Sequence, residues 1–339
     1  MALSDHPTLT LFFRKPWPGG NFSIEASFRQ MMAVFPADSR FRLRAHIVKR
    51  HSKGLWPRLR ILWEAWRQKT AINHITGDIH FIALVLPGRR TILTIHDCGF
   101  MQHPRPLVRG LLWLFWLYLP VRRVGWITAV SEATKQEVLR YTGCSPDKIR
   151  VIPTVIRNHF EYLPKPFSAE PVVLHIGTAP NKNLARHIEA LAGLPVRLHI
   201  IGRISDPHRR LLDLHGIRYR NDWNLSDAEV KAAYVSCDLL LFASTLEGFG
   251  MPILEAQSVG RPVITSHCSS MPEVAGSGAC LVNPLEVADI RAGVLRVLED
   301  ARYRENLIAA GLDNVKRFRA EAVAAAYQRL YEEVAVGGG

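Results

Sequence analysis

The sequence predicts an α/β protein of two domains, each a parallel β-sheet covered by helices on both faces. Three observations lead there. A chain of 339 residues exceeds what one hydrophobic core comfortably serves, so two domains are expected. Short apolar runs bounded by turn residues alternate with stretches of helical spacing, the order that produces parallel sheets. A polar stretch holding Pro164, Pro166 and Pro171 interrupts that alternation near the middle, as a linker would.

In the first half, Leu9–Phe13, Arg42–Val48, Thr91–Ile95 and Trp126–Val130 read as strands. Ser23–Val34, Gly54–Lys69, Leu107–Leu119 and Ser131–Tyr141 carry helical spacing, with Ser131 as an N-cap before Glu132. Asp147–Pro153 adds a last strand. Beyond the prolines, Val172–Ile176, Arg197–Ile201, Leu239–Phe242, Pro262–Thr265 and Ala279–Val282 read as strands with helices between them. The expected division is residues 1–160, a linker over 161–171, a second domain over 172–318, and a final helix over 319–339 that packs back on the first domain. Both domains are expected to be Rossmann-like and to face each other across a cleft. Ligands of such sheets bind at the carboxyl ends of the strands.

Composition excludes several classes. With 48% apolar and 22% charged residues and no repeat or low-complexity tract, the chain is neither disordered nor fibrous. The five cysteines are odd in number and lack CxxC pairing, which reads as reduced core thiols and no zinc site. The start lacks a basic leader and carries Asp5, and the longest apolar stretch, Leu111 to Pro120, is too short to span a bilayer. A cytoplasmic protein is expected. Charge is uneven: residues 1–160 hold 24 Lys and Arg against 9 Asp and Glu, the remainder 19 against 21. The basic excess therefore lies in the first half, and it concerns partners more than fold.

Four loops at predicted strand ends carry chemistry. Gly19 and Gly20, after the first strand, would let backbone N–H groups approach a phosphate. His96-Asp97 ends the Thr91–Ile95 strand, and the carboxylate could hold the imidazole in one tautomer beside a reacting centre. Gly177-Thr-Ala-Pro-Asn-Lys182 follows Val172–Ile176 and places a cation by a helix start, a counter-charge for a diphosphate. The most informative is Glu247-Gly248-Phe249-Gly250-Met251-Pro-Ile-Leu-Glu255. The glycines loosen the backbone, Pro252 suits a first helical turn, and the N–H groups near Gly250 and Met251 would face an anion. Glu247 is expected in the loop and Glu255 on the first turn of the helix, so that two carboxylates flank the anion site and accept bonds from sugar or ribose hydroxyls. Taken singly, each loop is also compatible with an ordinary strand-to-helix turn, a strand-end histidine or a solvated lysine.

Together the loops resemble the retaining glycosyltransferases of the GT-B fold, family 4 (glycosyl transferases group 1). The glutamate, seven residues, glutamate pattern of "EGFGMPILE" carries the resemblance, with "EAQSVGRPVITSHCSSMPEVAG", "LVNPLEVADI" and "ITAVSEATKQEVLRYTGCSPDKIRVIP" around it. The resemblance implies that the first domain receives the acceptor and the second the nucleotide sugar. It implies that Glu255 binds ribose, that Glu247 with the backbone of Gly248 to Met251 contacts the donor sugar, and that Lys182 and Gly20 hold the diphosphate. His96 would lie by the reacting carbon. No Asp-x-Asp occurs, in keeping with metal-independent, cofactor-free transfer of a hexose. The sequence departs from the pattern where relatives carry an arginine with Lys182: Thr178 and Asn181 stand there, and Arg203 is the candidate substitute. "GTAPNKN" is similar to the mannosyltransferase-like branch, so GDP-mannose is preferred to a UDP-hexose as donor.

For the acceptor, a lipid-linked or surface glycan is expected. Tryptophans and basic residues interleave over Trp56–Lys69 and recur near Leu111–Tyr118, which suggests peripheral contact with an anionic membrane. For the second segment, tryptophans in the core with arginines outside is the preferred reading. Two other classes compete. One is an epimerase-like nucleotide-sugar enzyme of the same fold. The other is a basic nucleic-acid or membrane binder without catalysis, although no nucleic-acid recognition motif is found and none is expected to bind.

Overall fold

The computed structural model describes residues 6–16, 23–157 and 160–337. The chain divides into two compact units, Met1–Val155 with Ala320–Gly339, and Ile156–Arg319.

The first unit is a six-stranded parallel sheet. Its strands are β1 (Thr8–Phe13), β2 (Arg42–Ile47), β3 (Ile72–Ile75), β4 (Thr91–Ile95), β5 (Trp126–Ala129) and β6 (Ile149–Val151), in the order β2-β1-β3-β4-β5-β6. The central strands are buried on both faces, which explains their continuous apolar runs. β2 is an edge strand, and Arg42 and Arg44 on it keep that edge unsuited to pairing with another chain.

β3 escaped the sequence reading because its four residues include Asn73 and His74, both fully buried. Each has hydrogen-bond partners. Asn73 exchanges hydrogen bonds with the backbone of Thr70, and His74 sits between Tyr331 Oη at 2.9 Å and Thr94 Oγ1 at 2.7 Å. Tyr331 belongs to the closing helix, Ala320–Gly337, whose face of Val323, Ala324, Tyr327, Leu330 and Tyr331 joins the core of this unit beside Phe28 and Met31.

The predicted helix over 107–119 is longer and irregular. It runs from Pro106 to Arg123 through a π-type turn over Trp113–Tyr118. The cause lies in Pro120, which has no N–H for the carbonyl four residues earlier. That carbonyl, on Trp116, accepts a bond from His80 Nδ1 at 2.7 Å instead. Trp113 and Trp116 pack against the core, with their ring N–H groups on the carbonyls of Tyr141 and Asp78. Among the described residues no helix is long and apolar enough to cross a membrane.

The second unit is also six parallel strands. They are β7 (Val172–Ile176), β8 (Arg197–Ile201), β9 (Tyr219–Asp222), β10 (Leu239–Phe242), β11 (Val263–Ser266) and β12 (Ala279–Val282), in the order β12-β11-β10-β7-β8-β9. β9 was not foreseen, since Tyr-Arg-Asn-Asp is polar, as an edge strand permits. In this order the first strand of the unit lies between its second and its fourth. The direction of winding therefore reverses between β7 and β10, and in doubly wound sheets that is where ligands bind.

The proline stretch is not a free connection. The division between units falls earlier, at Val155, and the stretch is fastened to the second sheet by Asp238. That buried carboxylate accepts bonds from Lys165 Nζ, from the amide and hydroxyl of Ser168 and from the amide of Val172. Prolines remove amide donors and preset an extended backbone, but a buried acceptor beside them decides where the chain goes.

Candidate active site

The site grows from the carboxyl ends of β7 and β10. Two buried histidines brace them: His175 Nε2 meets the carbonyl of Gly177 at 2.7 Å, His187 Nε2 meets that of Ala243 at 3.2 Å, and the two Nδ1 atoms are 2.9 Å apart. Burial pulls both pKa values down, His175 to about 4. The loops above are zipped together, with Thr245 N on Asn181 O at 2.8 Å and Asn181 Nδ2 on Leu246 O at 2.9 Å.

Within this frame Gly177 adopts φ 90°, and a Cβ there would lie 2.9 Å from Lys182 Cγ. The glycine thus clears the path along which the lysine folds back over the loop. Lys182 Nζ reaches Glu247 Oε1 at 2.6 Å and lies 4.7 Å from the centre of the Phe242 ring. Two residues that the sequence placed on different loops therefore form one ion pair, with the side chains 21% and 12% exposed. The backbone around Glu247 is held by serines. Ser269 Oγ donates to Glu247 O at 2.7 Å, and Ser270 Oγ bonds the carbonyls of Glu247 and Phe249 at 2.9 Å each.

Gly250, at φ 105°, opens the helix Met251–Ser258 with Pro252 in its first turn, and no side chain caps that end. Pro252 has no N–H and Ile253 N already reaches Gly250 O at 3.0 Å, which leaves the Met251 amide without an intrahelical partner at the positive end of the dipole. Phe249 is buried against Phe318, so its contribution to the loop is backbone with a packing anchor.

Glu255 corrects the sequence reading. The helix begins at Met251, which puts Glu255 in the second turn, and only 5% of the residue is exposed. Its Oε2 accepts from Tyr234 Oη at 2.7 Å, and its Oε1 lies 3.4 Å from Arg157 Nε. Burial raises its pKa, while Arg157 and the Tyr234 hydroxyl oppose that shift. Arg157 also pairs with Asp227 at 2.8 Å. Neither Arg157 nor Tyr234 was singled out from sequence. Arg157 lies in an irregular stretch without periodicity, and Tyr234 reads as one more apolar position of its helix.

The candidate replacements for the missing arginine are accounted for. Thr178 Oγ1 donates to the carbonyl of Arg203 at 2.8 Å, and Asn181 secures Leu246 O, so both are structural. Arg203 follows β8 at the same sheet edge, and its side chain is exposed and has no ion-pair partner among the described residues.

His96 belongs to the first unit, at the end of β4. Asp97 does not hold its ring, contrary to expectation: Asp97 Oδ1 accepts from Gly99 N at 2.8 Å and caps the next turn. The tautomer is set by Thr76, whose carbonyl is 2.7 Å from His96 Nε2. The ring fits because residue 77 is glycine, where a Cβ would lie 3.1 Å from it. Burial lowers the pKa of His96, so the imidazole is neutral at pH 7. On the same edge Arg14 bridges Glu25 at 2.8 Å and Asp78 at 3.1 Å. Gly19 and Gly20 lie outside the described residues. Among the described residues no group of three or more His, Cys, Asp or Glu side chains is arranged to hold a metal ion.

Comparison with known proteins agrees with this architecture. Residues 163–313 match the profile of glycosyl transferases group 1, and residues 25–158 match that of glycosyltransferase family 4. The chain is similar to O-antigen chain mannosyltransferase B of Escherichia coli, 28% identical over 293 residues that cover 75% of this chain and 73% of that protein. It is also similar to O-antigen chain mannosyltransferase RfbU of Salmonella typhimurium, 26% identical over 276 residues, 77% of this chain and 75% of that one. The crystal structure of Anabaena HepE with UDP and glucose shares the fold, with a TM-score of 0.75 at 15% identity over 97% of this chain and 100% of that one. With two family profiles covering most of its length, the chain belongs to the family 4 glycosyltransferases of the GT-B fold and is a glycosyltransferase.

Proposed function

We propose that the protein transfers a hexose from a nucleotide-diphosphate sugar to a lipid-linked or surface-glycan acceptor, with retention of anomeric configuration and without a metal ion. The observation that carries this reading is the Lys182–Glu247 pair at the winding reversal of the second sheet, beside an uncapped helix start. A diphosphate arriving there takes over the ammonium of Lys182 and the amides at Gly250 and Met251, with Arg203 as a further cation at the rim. Glu247, released from the lysine, then accepts hydroxyls of the donor sugar. Glu255, held by Tyr234 and Arg157, is the carboxylate for the ribose.

In the reaction the bond from the anomeric carbon to the diphosphate oxygen breaks, and the bond to the acceptor oxygen forms on the same face. The acceptor proton passes to the departing diphosphate. Fixed positive groups stabilise the charge that develops on the leaving group, which is how a metal-free site can lower this barrier. On the first unit, neutral His96, fixed by Thr76, is the residue we propose for contact with substrate.

GDP-mannose is the preferred donor. The two O-antigen mannosyltransferases support it, while HepE, which binds UDP and glucose, keeps a UDP-hexose as the alternative. Thermal-shift titration with GDP-, UDP- and ADP-sugars tests the reading: one base class should raise the melting temperature, and no shift with any would count against the site. Release of nucleotide diphosphate that depends on added acceptor separates transfer from epimerase-like chemistry.

A further inference from the structure

The first unit has a second concavity, at the carboxyl end of its edge strand β2. The helix Leu55–Gln68 covers the β2 side of that sheet with Ile61 and Ala65 buried. Its opposite face exposes Leu55, Trp56, Leu59, Trp63 and Trp66, each between 44% and 75% accessible. At 100° per residue these five fall within about 100° of arc, one continuous apolar stripe. Soluble surfaces scatter such side chains singly and seldom align them. Cations flank the stripe and lie over its rings: Arg67 is 4.8 Å from the centre of Trp63, and Lys69 is 4.7 Å from that of Trp66.

Beside the stripe lies a pocket of about 770 Å³, between the residues that follow β2 and this helix. Lys49, Arg50, Arg60 and Arg67 line it, with Trp63 as a wall. The pocket's carboxylate, Glu64, is already engaged by His46 Nε2 at 2.9 Å and by the amide of Lys49 at 3.3 Å. None of the four cations forms an ion pair among the described residues. Four cations share the pocket with a single carboxylate, so positive charge is in excess there, and an anion entering the pocket relieves their mutual repulsion.

We infer that this helix face docks on an anionic phospholipid surface, with the tryptophans and leucines at the acyl boundary and a headgroup phosphate in the cationic pocket. Charge complementarity selects the occupant. An apolar protein partner would leave the four cations unanswered, and a nucleic acid would leave five exposed apolar side chains in water. Amphipathic aromatics set between apolar and wet layers, with long basic chains reaching for phosphates, are what a membrane interface favours. The inference does not depend on the donor site of the second unit.

Sedimentation of the full chain with vesicles tests it. Binding to phosphatidylglycerol–phosphatidylcholine vesicles is expected at low salt, with a blue shift of tryptophan emission, and little binding to phosphatidylcholine alone. Arg60→Gln with Arg67→Gln should weaken the partition about thirtyfold, from roughly a factor of five per basic residue. Arg60→Lys with Arg67→Lys should restore most of it. Trp63→Ala with Trp66→Ala should abolish the blue shift. Failure to sediment with the anionic vesicles overturns the inference, as does equal binding by the glutamine variant. Millimolar inorganic phosphate that competes as well as the vesicles do would show a free-anion pocket and refute the lipid surface. Tighter retention of duplex DNA than of vesicles would refute it in favour of nucleic acid. A donor-induced thermal shift that persists in all these variants shows that any failure belongs to this surface and not to the donor site.

Discussion

The ammonium of Lys182 and the carboxylate of Glu247 meet at 2.6 Å, 65 residues apart in sequence, across the two strands between which the winding of the second sheet reverses. Each group answers the other's charge until a ligand that carries both phosphate and hydroxyls offers each a better partner. Lys182→Ala should therefore cost little stability, under about 1 kcal/mol for a pair still reached by water. It should weaken donor binding about tenfold or more, because a charge-assisted phosphate bond contributes roughly 1.5–3 kcal/mol. Glu247→Ala should mainly lower turnover. Denaturant melts and steady-state kinetics on both variants check this.

Gly177→Ala probes the same pair from the backbone. At φ 90°, with a Cβ 2.9 Å from Lys182 Cγ, alanine strains the loop and displaces the lysine. The expected outcome is a folded protein whose donor dissociation constant moves toward that of Lys182→Ala. An unchanged constant would show that the lysine reaches its place without the glycine.

Glu255 is a different kind of carboxylate, since it is buried and already bonded. Tyr234→Phe leaves Oε2 without its donor inside the protein and should cost about 1–3 kcal/mol. Glu255→Ala should lower the melting temperature and also raise the donor dissociation constant. Loss of stability without any change in donor binding would make the residue purely structural.

Stability should fall on acidification through three buried histidines. His74, held to about 3, His175, held to about 4, and His187, also depressed, stay neutral in the folded state. In the unfolded chain they take up protons near pH 6.5. The unfolded state then binds more protons, so stability is full above pH 6.5 and declines as pH drops toward 4. The slope is about 1.4 kcal/mol per pH unit for each histidine. Urea melts between pH 7.5 and 5 measure it, and replacing His74 with Gln should flatten the curve.

Asp238 acts in the opposite sense at lower pH. Burial alone would raise its pKa, but Lys165, the amides of Val172 and Ser168 and the Ser168 hydroxyl outweigh it and hold the pKa below the ordinary value. Its contribution persists above pH 4 and is lost only as pH falls through that depressed value. Asp238→Asn at pH 7 should destabilise by about 3 kcal/mol, as breaking a buried pair does, and should expose the Pro164–Pro171 stretch to protease.

Much of this was legible in the sequence, and what was missed has physical causes. The buried strands announced themselves because a parallel sheet covered on both faces needs unbroken apolar runs, as in Leu239–Phe242. β3 and β9 did not, one because it buries the polar Asn73 and His74, the latter satisfied by Thr94 and the sequence-distant Tyr331, the other because an edge tolerates polar residues. The glutamate pattern located the site but not its wiring. That Lys182 lies on Glu247, that Thr76 and not Asp97 holds His96, and that Arg157 and Tyr234 enclose Glu255 are pairings between separate elements that no local spacing encodes. The two tryptophan segments part company for a similar reason. Pro120 and His80 turn Trp113 and Trp116 inward, whereas the helix Leu55–Gln68 needs only Ile61 and Ala65 for its own packing.

The most direct test is calorimetric titration of GDP-mannose, with a UDP-hexose beside it, into the parent protein and Lys182→Ala in the presence of a chelator. The account predicts one-to-one binding by the parent of one of the two donors without divalent metal, and at least a tenfold loss in the variant. Equal affinity in parent and variant, or binding that appears only when metal is restored, would contradict it.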